Sequence, residues 1–329
     1  MTQKALYPLK FKTIFKDKIW GGNKIKSLLG KDYGDLPNCG ETWEISGVPG
    51  DISLVKEGDL EGESLVSLID KYQGALLGDQ VYKKFGNQFP LLIKFIDAND
   101  DLSVQVHPDD TVARLKHNSF GKTEMWYVLQ ADNGSSLISG FNRTVDREEY
   151  LGKFRAGQLM DILNREEVNA NDVFFLPAGR VHTIGKGLLI AEIQQTSDVT
   201  YRIYDFDRVD AKGNSRELHF DEALEVMDFQ KHEQYKTSYQ DLLNEKQLLV
   251  TNQYFHTSKL NITEKFMVDL KAVDSFKIYI CVEGSVVLQY GDKSCDLQKG
   301  EVVLLPAYMK SFELIPTTQK ASLLETYVP

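Results

Sequence analysis

Gln105 and His107 stand two residues apart in Leu-Ser-Val-Gln-Val-His-Pro, Glu124 lies in Gly-Lys-Thr-Glu-Met-Trp-Tyr-Val-Leu, and His182 closes Phe-Phe-Leu-Pro-Ala-Gly-Arg-Val-His. Each sits inside or at the end of a short apolar, β-branched or aromatic run. A strand alternates its side chains between two faces, and an unpartnered carboxylate among them is costly to bury. A divalent ion compensates such a set directly. Two imidazoles, one carboxylate and one amide oxygen suit zinc and leave room for a water or a substrate oxygen. His107, Glu124 and His182 also read as the two-His-one-carboxylate triad of a non-haem iron oxygenase. Gln105 weighs against that reading, because an extra amide ligand takes a position that dioxygen chemistry wants open. The remaining histidines, His117, His219, His232 and His256, read as ordinary hydrogen-bonded residues of core or surface.

The elements that must position these residues are mostly strands. Runs at Phe89 to Ile96, Leu102 to His107, Met125 to Leu129 and Ser136 to Phe141 are separated by Asn, Asp and Gly, which predicts antiparallel sheet. Strands resume at Val173 to Leu176, Leu188 to Gln194 and Val199 to Asp205. Between Gly62 and Phe85, Leu65, Leu68, Ile69 and Tyr72 recur at helical spacing and predict a short covering helix. Further helix is expected around Asp146 to Leu163 and at Phe220 to Met227, and strands and loops before Gly62. The charge runs Arg147-Glu148-Glu149 and Arg165-Glu166-Glu167 read as solvated helix faces or turns, and Trp20, Trp43 and Trp126 as core packing.

Two segments echo one another: Asn171-Asp-Val-Phe-Phe-Leu-Pro-Ala-Gly-Arg-Val-His182 and Gly300-Glu-Val-Val-Leu-Leu-Pro-Ala-Tyr-Met-Lys-Ser311. The echo predicts two related β halves. It sets His182 against Ser311 and, with Met125 to Leu129 laid on Lys277 to Cys281, Glu124 against Phe276. The second half therefore lacks the ligands, and one metal site per chain is expected. The architecture that fits is mainly β: two jelly-roll barrels or sandwiches with a few covering α-helices. Inside such a barrel a Gln-x-His spacing points both side chains to one interior.

A chain of 329 residues is long enough for one large domain or two moderate ones, and its net charge of −10 opposes binding to nucleic acid. No apolar stretch is long enough to span a bilayer. The N-terminal Met-Thr-Gln-Lys-Ala-Leu-Tyr-Pro has no secretory pattern, so a cytoplasmic location is expected. Cys39, Cys281 and Cys295 are odd in number and far apart, and read as reduced thiols.

Trp20-Gly21-Gly22, Gly40-Glu41-Thr42-Trp43-Glu44-Ile45-Ser46, Leu102 to Pro108, Lys122-Thr123-Glu124-Met125, Leu176-Pro177-Ala178-Gly179 leading to His182, and Glu192 to Arg202 together resemble the type I mannose-6-phosphate isomerases in their short bacterial form, members of the cupin superfamily. The resemblance implies a catalytic cupin domain over 1–240 with helical insertions and a cupin-like β domain without metal ligands over 241–329. It implies Zn2+ on Gln105, His107, Glu124 and His182, one ion per monomeric chain, and a sugar phosphate substrate. It further implies that Arg202 is an active-site arginine and that Lys122 lines the pocket. Larger eukaryotic relatives carry a tyrosine two residues after the last histidine ligand, where this chain has Ile184.

The expected reaction is the interconversion of D-mannose 6-phosphate and D-fructose 6-phosphate through a cis-enediol or enediolate. Arg202, always protonated, can stabilise the developing negative charge or hold the phosphate. Glu192 is the first choice of proton carrier, because its apolar strand should raise its pKa; Lys122 is the second, and could equally bind phosphate. A non-catalytic carbohydrate-binding cupin is a third reading, opposed by the completeness of the set.

Overall fold

The apolar runs become strands of four antiparallel sheets in the computed structural model, which describes residues 5–209 and 212–329. Met1 to Lys4, part of the N-terminal segment read above for a secretory pattern, lie outside the described residues. A six-stranded sheet runs in the order Ile14–Lys16, Glu41–Ile45, Leu91–Ala98, Leu188–Gln195, Glu124–Ala131, Val173–Leu176. A five-stranded sheet runs Tyr201–Tyr204, Val104–Val106, His182–Ile184, Ser136–Phe141, Leu163–Glu167. Ile96, Trp126 and Ile190 of the first sheet and Leu137 and Ile184 of the second meet in one core, so the two sheets enclose a barrel interior.

A second pair repeats the arrangement. One sheet runs Lys246–Thr251, His256–Ile262, Ala321–Tyr327, Lys277–Glu283, Val302–Leu305, and the other Phe266–Asp269, Ser311–Pro316, Ser285–Tyr290, Lys293–Gln298. Between the two barrels the large sheets lie back to back. Leu91, Ile93, Phe95, Met125 and Ala191 share a core with Ile278, Ile280, Leu304 and Leu324, and the Phe89 and Phe276 rings lie 5.0 Å apart. Each of these side chains larger than alanine contributes about 1.5–3 kcal/mol when taken out of water. Because both faces are covered, every residue of Leu91–Ala98 and of Leu188–Gln195 is buried. That explains why these strands read as continuous apolar runs rather than alternating ones. Lys94, Asp97, Glu192 and Gln194 interrupt them, and each needs a partner.

The helical regions are more broken than the periodicity suggests. Gly62 to Phe85 holds three helices, Leu65–Tyr72, Gly74–Leu77 and Asp79–Phe85. Gly78, at φ 96°, separates the last two, and a Cβ there would come 2.3 Å from the Asp274 carbonyl oxygen. The Asp274 carboxylate accepts from the Asp79 and Gln80 amides at 2.9 and 3.0 Å, which holds the helix start against the second barrel. The stretch before Gly62, expected as strands and loops, also contains the helix Lys24–Leu29, stopped by Gly30 in the left-handed region. Of Asp146 to Leu163, only Arg147–Arg155 is α-helix; a 3-10 turn follows at Leu159–Ile162, and Leu163–Glu167 is strand. Arg165-Glu166-Glu167 is thus the exposed edge of a sheet, where charge discourages edge-to-edge pairing, and neither helix nor turn. Among the described residues no helix is long and apolar enough to cross a membrane.

Candidate metal centre and active site

Strand alternation assembles the site. Val104 and Val106 point into a core beneath the five-stranded sheet, so Gln105 between them points the other way, opposite His182 on the neighbouring strand. Glu124 opens its own strand across from Gln194 and Leu176. One ligating atom each from His107, Glu124 and His182, all three buried, lie within 4.8 Å of one another. Gln105 joins them through a 3.3 Å contact between its carboxamide nitrogen and His182 Nε2, and turning the carboxamide over exchanges its nitrogen and oxygen.

The donor chemistry fits a divalent cation. His107 Nδ1 lies 3.0 Å from the Val199 carbonyl oxygen and His182 Nδ1 lies 2.8 Å from that of Arg180. A ring nitrogen facing a carbonyl carries the proton, so each Nε2 presents its lone pair. Burial first and the Lys122 charge second hold both rings neutral, His182 at about 3 and His107 well below the usual histidine range. These lone pairs face Glu124 at 3.6 Å from His107 and 3.3 Å from His182, and Glu124 Oε1 has no hydrogen-bond partner. Three acceptors aimed at one another are reconciled by a cation. Lys122 is the cation nearest to hand: its ammonium lies 2.8 Å from His107 Nε2 and pairs with Glu124 Oε2.

Around this cluster is a cavity of about 310 Å³ lined by Gln105, Lys122, Glu192 and Arg202, and also by Lys94, Glu41, Trp20, Trp43, Ser103, Asp198 and Arg216. All three sequence-predicted residues outside the ligand set therefore share it. The expected rise in the Glu192 pKa is not found. Burial does push it upward, but the Lys94 ammonium 3.1 Å from Oε1, the Lys122 charge and the Trp126 indole, donating to Oε2 at 2.8 Å, outweigh burial and hold the carboxyl below the usual range. Glu41 behaves alike: burial opposes its charge, yet Lys94, Lys18 and the Trp43 indole bring it to about 2. Nor are the tryptophans core packing alone, since Trp20 and Trp43 line the cavity and Trp126 fixes Glu192.

Lys94, Glu41, Asp198 and Arg216 were not singled out by sequence reasoning. Lys94 carried a usable signal, a lone cation inside a run long enough to be buried on both faces. Glu41 lay in a noticed motif without a role. Asp198 and Arg216 sit in polar, aperiodic stretches that offer none. Arg202 sits opposite Gln105 in the strand pairing; its Nη1 donates to the Glu217 carbonyl at 2.8 Å, while Nε is buried without a partner.

The second barrel shows what replaces the cluster. Asp269 pairs with Ser311 as Gln105 pairs with His182, which agrees with the sequence echo. The other equivalence is off by one residue. Glu124 pairs with Leu176 and Lys277 pairs with Leu305, so Lys277, not Phe276, stands where Glu124 does. Glu325, opposite Tyr279, matches Glu192, opposite Trp126. Lys277 and Glu325 form an ion pair at 3.1 Å, so the second barrel neutralises its interior with its own side chains.

Residues 8–133 match the family model described as phosphomannose isomerase type I, catalytic domain, and residues 244–322 that described as mannose-6-phosphate isomerase, cupin domain. A mannose-6-phosphate isomerase of Bacillus subtilis is 36% identical over 318 residues, covering 93% of this chain and 95% of the relative. One of Streptococcus mutans is 36% identical over 314 residues, covering 93% and 94%. The crystal structure of a mannose 6-phosphate isomerase from Bacillus subtilis superposes with a TM-score of 0.87 at 32% identity, covering 97% of this chain and 99% of that one.

Proposed function

Because the chain belongs to the type I phosphomannose isomerase family, we propose that it interconverts D-mannose 6-phosphate and D-fructose 6-phosphate as a zinc-dependent enzyme, through a cis-enediolate spanning C1 and C2. The observation that carries this reading is the convergence of His107, Glu124 and His182 beside a cavity that also holds Gln105, Glu192, Lys122 and Arg202. Zinc on Gln105, His107, Glu124 and His182 would supply Lewis-acid polarisation of the substrate oxygens. Glu192 accepts the proton from the carbon beside the carbonyl and returns it to the neighbouring carbon. Lys94 and Trp126 keep that carboxylate ionised and fixed, which favours proton acceptance over donation in the resting enzyme. Lys122 places an ammonium where oxygen becomes negative. Arg202 and Arg216 offer guanidinium groups to the phosphate, with Arg202 Nε the donor still in need of an acceptor. We take the enzyme to act as a cytoplasmic monomer, a reading that rests on the family.

The test is metal analysis by inductively coupled plasma spectrometry paired with a coupled isomerase assay. Chelation is expected to abolish turnover and zinc to restore it, and Glu192→Gln to lower kcat by about 10²–10⁴-fold with zinc retained. Full turnover in demonstrably zinc-free protein eliminates the metal reading, and near-normal kcat in Glu192→Gln eliminates the proton carrier.

A further inference from the structure

Asp205 lies directly after the strand that carries Arg202, and its side chain is 7% exposed. It is absent from the cavity wall yet tied to a residue that forms that wall. Arg216 grips it with two arms, Nε donating to Oδ2 at 2.7 Å and Nη2 to Oδ1. Arg208 Nη2 donates to the same Oδ1 at 2.6 Å, and the Arg208 amide closes on the Asp205 carbonyl at 3.1 Å. The chain turns sharply between them, with Phe206 and Asp207 both in the left-handed region at φ 56° and 54°. One buried carboxylate thus gathers two arginines from a stretch whose described residues form no helix and a single backbone bridge, Val209 to Ser215.

The same cluster reaches the cavity wall, and Arg208 has a second carboxylate near it, Asp100 at 3.6 Å. Arg202 and Arg216 both line the cavity; burial first, then Arg216 and Arg208, disfavour the charge on Arg202, while Asp205 and Glu217 favour it. Three guanidinium groups meet one buried carboxylate, and that carboxylate is spent on two of them. Arg202 keeps a buried Nε without an acceptor. Like charges stay close in a partly desolvated place only when geometry forces them or an anion joins them.

We propose that Asp205 is a positioning residue that presents Arg216 beside Arg202 as a two-guanidinium seat for the substrate phosphate, an inference that rests on the sugar-phosphate reading above. The fork between Asp205 and Arg216 uses Nε and Nη2, so Nη1 is the arm left to turn toward an anion. Among the described residues Asp205 is the one carboxylate paired with Arg216, and the Val209–Ser215 bridge fixes the backbone there but not the guanidinium, which without Asp205 is repelled by Arg202.

The experiment is steady-state kinetics of the zinc-loaded enzyme with mannose 6-phosphate, together with competitive inhibition by inorganic phosphate, for Asp205→Asn, Arg216→Gln and the double variant. Losing the presented arm costs one charge-assisted contact, so Asp205→Asn is expected to raise both KM and the phosphate inhibition constant by about tenfold, with a smaller change in kcat. Arg216→Gln should do the same, and the double variant should be no worse than either single one, because both remove one device. A folded Asp205→Asn with unchanged KM and unchanged phosphate inhibition, beside an Arg216→Gln that weakens both, overturns the positioning role alone. Unchanged values in both variants overturn the phosphate seat as well. If Asp205→Asn does not fold, Asp205→Glu keeps the charge but displaces both arginines by one methylene. It is expected to weaken phosphate inhibition about threefold, and an unchanged constant in that folded variant refutes the proposal.

Discussion

Lys94 is the sharpest test of how the cavity wall is held together. It lies in a strand buried on both faces, 3.1 Å from Glu192, with the two side chains 8% and 4% exposed, and it is the leading charge acting on Glu41. At that separation and an effective dielectric of about 20 the bare attraction to Glu192 is about 5 kcal/mol, set against the cost of taking both ions out of water. Replacing Lys94 by Met removes the attraction and leaves two carboxylates facing the cavity without their shared cation. The expected loss of unfolding free energy at pH 7 is about 3–5 kcal/mol, the range for breaking one partner of a buried pair. Adding Glu192→Gln should return at least about 1 kcal/mol of it, since one uncompensated charge is gone. The pH dependence has a definite sign. Burial opposes the Lys94 charge, but Glu192 and Glu41 outweigh it and raise the pKa above its ordinary 10.5. Its contribution is therefore fully present below pH 10.5 and is lost as pH rises through the higher folded value. Urea denaturation of wild type and variant across pH 7 to 11, with matched zinc content, measures the difference. A loss below about 1 kcal/mol at pH 7, or a difference that persists undiminished above pH 10.5, refutes the reasoning.

Three further outcomes are expected. Glu41, at about 2 against an ordinary 4.5, contributes stability that is complete above pH 4.5 and lost as pH falls toward 2. Glu41→Gln should therefore cost up to about 3 kcal/mol at neutral pH, with the gap to wild type closing in acid; a gap that widens on acidification contradicts the assignment. His182→Ala removes a neutral nitrogen whose ring is held by the Arg180 carbonyl, and zinc titration against a competing chelator should show at least about 100-fold weaker binding. Unaltered zinc affinity there would remove His182 from the ligand set. Phe276, fully buried against Phe89 between the barrels, should cost about 3–5 kcal/mol when cut to Ala, read by chemical denaturation. A loss under about 1 kcal/mol would show that the inter-barrel core collapses to fill the space.

Much of the fold was legible because its signals are local. The strands Ser136–Phe141 and Val173–Leu176 match their apolar runs residue for residue, since β-branched alternation bounded by Gly and Asn is complete within a few neighbours. The long helical pattern before Phe85 was less legible. Its interruption at Gly78 answers to Asp274, nearly two hundred residues away, and no window of sequence contains both. The slip between Phe276 and Lys277 has the same origin: register is set by the strands on either side, and a one-residue offset between two short apolar runs costs nothing on paper.

The site divides along the same line. Gln105, His107, Glu124 and His182 announced themselves as polar residues stranded in apolar runs, and strand alternation together with the Pro-Ala echo was enough to expect them in one barrel interior. Their convergence was thus written into residue type and spacing. The charge state of the cavity wall was not. An apolar strand around Glu192 suggested a raised pKa, and the fold reversed that direction by laying Lys94 beside it from the adjacent strand. Likewise Asp205, Arg208 and Arg216 carry no periodic signal, and the turn through Phe206 and Asp207 together with the bridge from Val209 to Ser215 gathers them around one carboxylate. Burial can be read from a sequence because it is a property of each residue with its near neighbours, whereas electrostatic balance is a sum over whichever charges the tertiary fold brings within a few ångströms.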